Sequence, residues 1–420
     1  MKSLPVLSSD TQLGIQQQLR KLYKRIVEYS GIIPDLRFNN TSYQGLRNYL
    51  DPIHRKCEKV EFGVGSYTHG ATVSEYAYIG SVYSPTQNRV YFVPFAQGNQ
   101  AQWHYIDCNT GEVVAYTHGA TASNGAYSGG VYSPTQNRIY FVPANESNEL
   151  QWHYIDCNTG EVVAYTHGAT AVDYAYSGGV YSPTQNRIYF VPDGQAPQVN
   201  WHYIDCDTGD VVAYINGASV SGALAYVGGV YSPTQNRIYF VPVGQADEPQ
   251  WHYIDCDTGD VVAYTHGATA VNYAYAGGAY SPVQNRIYFA PSLQSVEPQW
   301  HYIDCDTGDV VAYTHGATTL EYYSCVYNPV QNRIYLVPYA AATQSTWHYI
   351  DCNTGNVVAY EHGVTVGTSA YIGGFYVPSI NRIYLTPYRQ ADDPVWHYIQ
   401  DYSDVEVSRS LMSGALFNKL

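Results

Sequence analysis

No lysine stands between Lys59 and Lys419. Residues 1–60 carry ten Lys or Arg against five acids, a net charge of +5, whereas residues 61–420 carry ten against thirty, a net of −20. A surface of that sign repels nucleic acid and anionic lipid, so a polyanion would have to meet the N-terminal segment. Also missing is any apolar run suited to a secretory leader or a membrane-spanning helix, from which we expect synthesis in a reducing cytoplasm without secretion by a signal peptide. No Gly-rich phosphate loop, no paired carboxylates and no Ser-His-Asp order occur, and the sequence predicts no catalytic residue, no metal centre and no cofactor. Tryptophan is scarce as well: there are seven, and every one belongs to the same phrase.

That phrase, Trp-His-Tyr-Ile, recurs at Trp103, Trp152, Trp201, Trp251, Trp300, Trp347 and Trp396, at intervals of 49, 49, 50, 49, 47 and 49 residues. A period near 50 marks repeats that bury their faces only against their neighbours. Within the unit at 126–167, four runs rich in Tyr, Val and Ile are separated by turn residues, at roughly 126–133, 138–143, 151–157 and 161–167. Ser133-Pro134-Thr135-Gln136-Asn137 and Cys157-Asn158-Thr159-Gly160 are the tight turns, the second with glycine supplying the positive φ. Four antiparallel strands per unit, seven times over, predict an all-β fold, a seven-bladed β-propeller.

Pairing strands two and three outward from their loop sets Val142 opposite Trp152, Tyr140 opposite Tyr154 and Arg138 opposite Asp156. The repeated arginines (Arg89, Arg138, Arg187, Arg237, Arg286, Arg333, Arg382) then face repeated acids, and a bidentate bridge is expected inside each blade. In the last unit Gln400 takes the acid's place, so there the bridge should be missing. The alternative is a ring of arginines facing an anionic ligand. The Thr-His-Gly histidines, His167 among them, are read as buttresses of a turn, and the Trp-His-Tyr histidines as satisfied core residues, since seven identical sites seldom serve one metal centre. Six of the eight cysteines occupy one repeated position, too far apart between blades to bridge, and are read as thiols closing strand three. Asp205-Cys206-Asp207-Thr208-Gly209-Asp210 opens like a calcium loop but lacks the distal bidentate acid, and reads as a turn.

Over about residues 61–401 the units resemble those of seven-bladed propellers of the YVTN and PQQ-repeat type. The phrases Tyr181-Ser182-Pro183-Thr184-Gln185-Asn186-Arg187-Ile188-Tyr189 and Ile204-Asp205-Cys206-Asp207-Thr208-Gly209-Asp210-Val211-Val212 carry the likeness. Their Tyr-rich wording also looks like that of repeat proteins encoded by phages and large DNA viruses. The resemblance implies an architecture; propellers of this kind include binding modules, enzymes and scaffolds.

Three domains are expected: a helical, basic segment at 1–60, the propeller at 61–401 and a tail at 402–420. Residues 10–29 predict the one α-helix, with Ile15, Leu19, Leu22 and Ile26 on a heptad-like stripe beside Arg20, Lys21, Lys24 and Arg25. This stripe is the candidate dock for a protein partner or for further copies of the chain. Residues 61–69 match a fourth strand with no first three before it, while 371–401 supply three strands with no fourth. The two fragments make one blade, so an N-terminal strand closes the ring.

The turns between strands one and two, and between three and four, repeat almost letter for letter. The connections between strands two and three, and from strand four to the next blade, vary and belong to one face, where binding is expected. On that face Glu75, Asn124, Asp173, Asn272 and Glu321 are read as equivalent, beside Tyr76, Tyr174, Tyr273 and Tyr322. The sequence therefore predicts a non-enzymatic structural or interaction protein, a rigid acidic head docked into a larger assembly, a virion among them. A module binding a glycan or receptor on the variable face is the alternative, with tyrosines as stacking platforms. A hydrolase or lyase with a metal in the central funnel is a further one, and would need an acid cluster there.

Overall fold

The computed structural model describes residues 63–218, 220, 224–317 and 321–400. By its contacts the chain divides into residues 64–400 and a unit made of its two ends, 1–63 and 401–420. The expected helix at 10–29 with its docking stripe, and the tail at 402–420, lie outside the described residues.

β-Branched Val and Ile and the aromatic Tyr suit the chain to pleated pairing, and twenty-eight strands form among the described residues. They make seven four-stranded antiparallel sheets. In blade two the strands are Tyr127–Ser133, Arg138–Pro143, Gln151–Asp156 and Val162–Thr166. Six blades take their strands in sequence order, from residues 78–117, 127–166, 176–215, 226–265, 275–314 and 322–361. The seventh joins Tyr371–Val377, Arg382–Pro387 and Val395–Gln400 to Gly63–Thr68, so the first of the described strands closes the ring as the sequence predicts.

First strands of neighbouring blades lie side by side around the axis. Glycine permits this: a Cβ on Gly129 would lie 3.3 Å from the Cα of Gly178, and one on Gly178 would lie 3.3 Å from the Cα of Gly228. The hydrophobic cores sit between blades. Trp152 of blade two meets Phe190 of blade three edge-on at 5.6 Å and Tyr176 at 6.3 Å, with Ile188, Ile204 and Cys206 around them. Each blade thus lacks a core of its own, the condition the repeat period implied. The seven described cysteines are free and buried.

Strands two and three pair as expected, Arg138 opposite Asp156 and Tyr140 opposite Tyr154. The ion pair does not follow from that register. Asp156 Oδ1 instead accepts the Asn158 backbone N–H at 2.8 Å and its side-chain amide at 2.9 Å, which shapes the turn. The Arg138 guanidinium lies over the Tyr154 ring at 4.3 Å and donates from Nη1 to the Tyr140 hydroxyl at 3.3 Å. The same 4.3 Å stacking holds for Arg89, Arg187, Arg237, Arg286 and Arg333 on their strand-three tyrosines. The last blade reverses the expectation: Arg382 donates from Nε at 3.0 Å and from Nη2 at 2.6 Å to Gln400 Oε1. Gln400 is one methylene longer than aspartate, and that extra reach brings its oxygen to the guanidinium.

On the face of the repeated turns a polar belt crosses from blade to blade. Thr86, Thr135, Thr184 and Thr234 each donate to the asparagine Oδ1 of the next blade at 2.8 Å. Asn328 and Ser379 continue the belt at 3.3 and 3.2 Å, closing it back on Asn88. At the junction of blades five and six Val283 stands in the threonine's place.

Candidate functional site

Most groups with chemical potential are used up inside the blades. His167 stacks on Trp152 with centroids 3.7 Å apart and planes 13° from parallel. Its Nδ1 accepts the Ala169 N–H at 3.0 Å, which puts the proton on Nε2, the atom facing the carbonyl of Glu149. The ring therefore ties the end of strand four to the loop between strands two and three. Trp152 Nε1 holds the same loop through the carbonyl of Glu146 at 2.9 Å. Asn216 does the histidine's work in blade three, donating to the carbonyls of Gln198 and Val199. The Trp-His-Tyr histidines share a buried hydrogen bond with the tyrosine that opens strand one, at 2.9 Å for Tyr127 and His153. Burial drives His104, His202, His252, His301 and His397 down to about 4, so they are neutral at physiological pH. Burial pushes the Cys206, Cys256, Cys305 and Cys352 thiols up to about 11, away from reactivity.

The two variable sets of connections do share a face, and backbone bonds lock them together. Tyr76, Tyr174 and Tyr273 have φ of 61°, 50° and 57°, and they donate their N–H to the carbonyls of Tyr388, Ala144 and Val243 on the preceding blade. Gly125 and Ser369 make the same bond at the same place. Asn124, Asp173 and Asn272 are exposed just before this residue, as is Glu75. Tyr174 and Tyr273 are the exposed aromatic side chains among the described residues, at 52% and 41%.

Blade six departs from that equivalence. Its unit is two residues shorter, and the Tyr339 and Ala341 N–H groups bond to the carbonyl of Glu321, as those of Phe95 and Gln97 bond to Ala77. Glu321 therefore matches Ala77, not Glu75. Tyr322 matches the buried Tyr78, and its hydroxyl meets His348 at 2.6 Å, so it is a core residue and not a stacking platform.

The loops between strands two and three vary less than they read. In six of the seven blades their third residue is Gln97, Glu146, Gln195, Gln245, Gln294 or Gln390, each buried, and in blade six it is Ala341. Gln195 shows the use: Nε2 donates to the Asn200 carbonyl at 2.9 Å while Oε1 accepts the Val172 N–H at 3.0 Å. The position that changes is the first after the strand-two proline: Phe95, Ala144, Asp193, Val243, Ser292, Tyr339 and Tyr388. It is pinned to the start of strand one through its backbone, as in Asp193 N–H to Ala175 O at 2.8 Å, and so borders the mouth of the central channel.

Around that mouth the ring is not symmetric. Tyr323, on the innermost strand of blade six, stands where other blades have Ile79, Ser128, Ser177, Val227, Ala276 and Ile372. Its ring lies 5.2 Å from Tyr339, which is 6.3 Å from Tyr388, which meets Tyr76 edge-on at 4.7 Å. Arg389 donates from Nε to Glu75 Oε1 at 2.8 Å and covers Tyr76 at 5.5 Å. Asp193, three blades away, has a carboxyl raised to about 6 by burial, against the opposite pull of the Leu224 N–H. The Tyr323 hydroxyl is raised by burial first, then by Tyr339 and by Asp193. The sequence reading missed Asp193, Tyr323, Tyr339 and Tyr388. Aligning the residue after each strand-two proline, and the second residue of each first strand, would have found them.

Among the described residues no three His, Cys, Asp or Glu side chains converge as a metal site would need, and no helix is long and apolar enough to cross a membrane. No family model and no curated protein matches the chain. Its shape is nonetheless shared with solved structures. A chain of Kuenenia stuttgartiensis hydrazine synthase is 12% identical with TM-score 0.56, over 80% of this chain and 100% of that one. A chain of the mitotic checkpoint complex is 11% identical with TM-score 0.54, over 81% and 92%. The extracellular domain of a putative one-component system from B. thetaiotaomicron is 9% identical with TM-score 0.55, over 81% of this chain and 42% of that one. An enzyme subunit, a member of a protein complex and a domain of a signalling system share this shape, so the comparisons establish the seven-bladed propeller and nothing narrower.

Proposed function

We propose that the protein is a non-enzymatic interaction module, a rigid acidic propeller that presents its variable face to a partner and is held in a larger assembly through its basic N-terminal segment. One observation carries this reading. The histidines, arginines, cysteines and tryptophans of the repeats are consumed in the same internal contacts blade after blade, while the side chains that differ gather on one face. Catalysis needs an asymmetric cluster of reactive groups; recognition needs only an asymmetric surface on a fixed frame. A virion is one assembly that the Tyr-rich repeats would suit.

The experiment is light scattering of the full chain beside a chain starting at Glu61, at physiological salt. An oligomeric full chain next to a monomeric, folded truncation supports the docking role of residues 1–60. A truncation that stays oligomeric sinks that role and puts the assembly contact on the propeller. A second reading, glycan binding, draws on Tyr174 and Tyr273, whose exposed rings rise from the same face. It requires that sugar binding be lost in the double variant Tyr174→Ala, Tyr273→Ala.

A further inference from the structure

We infer that the mouth of the central channel on the variable face binds an organic ammonium group, with Asp193 as the counter-charge and Tyr323, Tyr339 and Tyr388 as the aromatic wall. The inference deepens the reading of this face as the recognition surface and rests on it.

The first argument is charge balance. The basic side chain at this rim, Arg389, already has its acid in Glu75 at 2.8 Å. Asp193 has no such partner, and its Oδ1 is buried without a hydrogen bond. A half-buried carboxylate left in that state is costly, and a site that keeps one gains by admitting a cation. At neutral pH the group is still ionised, because its raised pKa of about 6 stays below 7.

The second argument decides which cation. Three rings in sequence, Tyr323 to Tyr339 at 5.2 Å and Tyr339 to Tyr388 at 6.3 Å, stand on blades six and seven, across the axis from the acid on blade three. Ring faces attract a cation that sheds little water, and an alkylammonium group carries its charge on such a surface; a hydrated sodium ion does not. A divalent metal would need further oxygen ligands, and no third acid or histidine converges here among the described residues.

The third argument is that the fold does not call for these side chains at their places. The first position after the strand-two proline tolerates Ala144, Val243 and Ser292 in other blades with the same backbone bond to strand one. Neither Tyr339 nor Tyr388 is therefore required by the fold at its place, and Asp193 adds to the shared bond an acceptor for the Leu224 N–H, which still leaves its Oδ1 without a hydrogen bond. Likewise Tyr323 stands where blades two and three make do with Ser128 and Ser177.

The test is calorimetric titration of the full chain at neutral pH with n-butylammonium and tetramethylammonium chlorides, with sodium chloride as reference at equal ionic strength. We expect saturable binding of the organic cations with a Kd of about millimolar, and none of sodium. Asp193→Asn should weaken it at least about tenfold and Asp193→Glu should retain most of it, while Glu161→Gln, exposed in a turn between strands three and four on the opposite face, leaves it unchanged. Tyr339→Ala should weaken it several-fold, and circular dichroism of each variant checks the fold. A lysine-containing peptide titrated in parallel separates the two sources of this chemistry. Tighter binding of the peptide assigns the site to a protein partner's lysine, and equal binding assigns it to a small amine. Absence of saturable binding, or binding indifferent to Asp193→Asn, overturns the inference. Ammonium binding by a chain whose N-terminal segment fails the light-scattering test would leave this site standing while the docking role falls.

Discussion

The Arg138 guanidinium has an acid opposite it in the register and an aromatic face beside it, and it lies on the face. A carboxylate already accepting two N–H groups from its own turn has little to gain from a second partner, and a stacked arginine keeps both its charge and its packing. This yields a contrast that urea denaturation can read. Asp156→Asn preserves the turn's acceptor and is expected to change stability by less than about 0.5 kcal/mol, whereas Tyr154→Leu should cost about 1 kcal/mol or more. The opposite ranking would restore the ion pair. The histidines give a second residue-scale prediction. Native values near 4 for His104, His202, His252, His301 and His397 lie below the ordinary 6.5, so the folded chain holds these five neutral. The stability they contribute is complete above about pH 6.5 and is lost progressively as pH falls toward 4, because the unfolded chain takes up protons first. Asp193 works in the opposite sense but is one group against several. Thermal midpoints should therefore fall steeply between pH 6.5 and 4, and a flat profile would show that the buried histidines are not neutral.

At the scale of the element, the variable loops are hung on repeated hooks. In most blades the tryptophan, the Thr-His-Gly histidine and the third-position glutamine grip backbone atoms, which leaves the neighbouring side chains free to differ; the exceptions are Trp300, whose Nε1 makes no such bond, and blade six, where Ala341 replaces the glutamine. Gln195→Ala removes both grips at once and should cost about 1–2 kcal/mol. Amide exchange should speed at Val172 and not at Val271, which depends on Gln294 instead. The same hooks explain what the sequence could and could not tell. Strand boundaries, the Arg138 register and the closing strand were legible because apolar alternation and turn residues fix them locally. Tyr322 was misplaced because blade six loses two residues ahead of its first strand, and a deletion shifts equivalence without disturbing the surrounding letters. Asp193 and Tyr323 lie 130 residues apart; only closing the ring brings them to opposite sides of one channel.

For the whole molecule, stability depends on a closed circuit of interfaces, so the seam at blade seven is decisive. Gly65 is part of it: a Cβ there would fall 2.4 Å from the Tyr398 ring, which is held by Arg382 at 3.8 Å and packs on Tyr67. Gly65→Val should displace the closing strand, expose the edge at Val395–Gln400 and produce higher-order species in size-exclusion chromatography. An unchanged elution profile and melting temperature would mean that the seam tolerates the added bulk.

The closure also makes the starting point of the chain a matter of translation order. In blade two five residues, Cys157 to Glu161, join strand three to strand four. The same five placed between Gln400 and Val64, which matches Val162, would join the ends of blade seven in the manner of its neighbours. A gene opened instead within any variable loop would then encode the same wheel, cut at a different spoke, with its termini moved to the variable face.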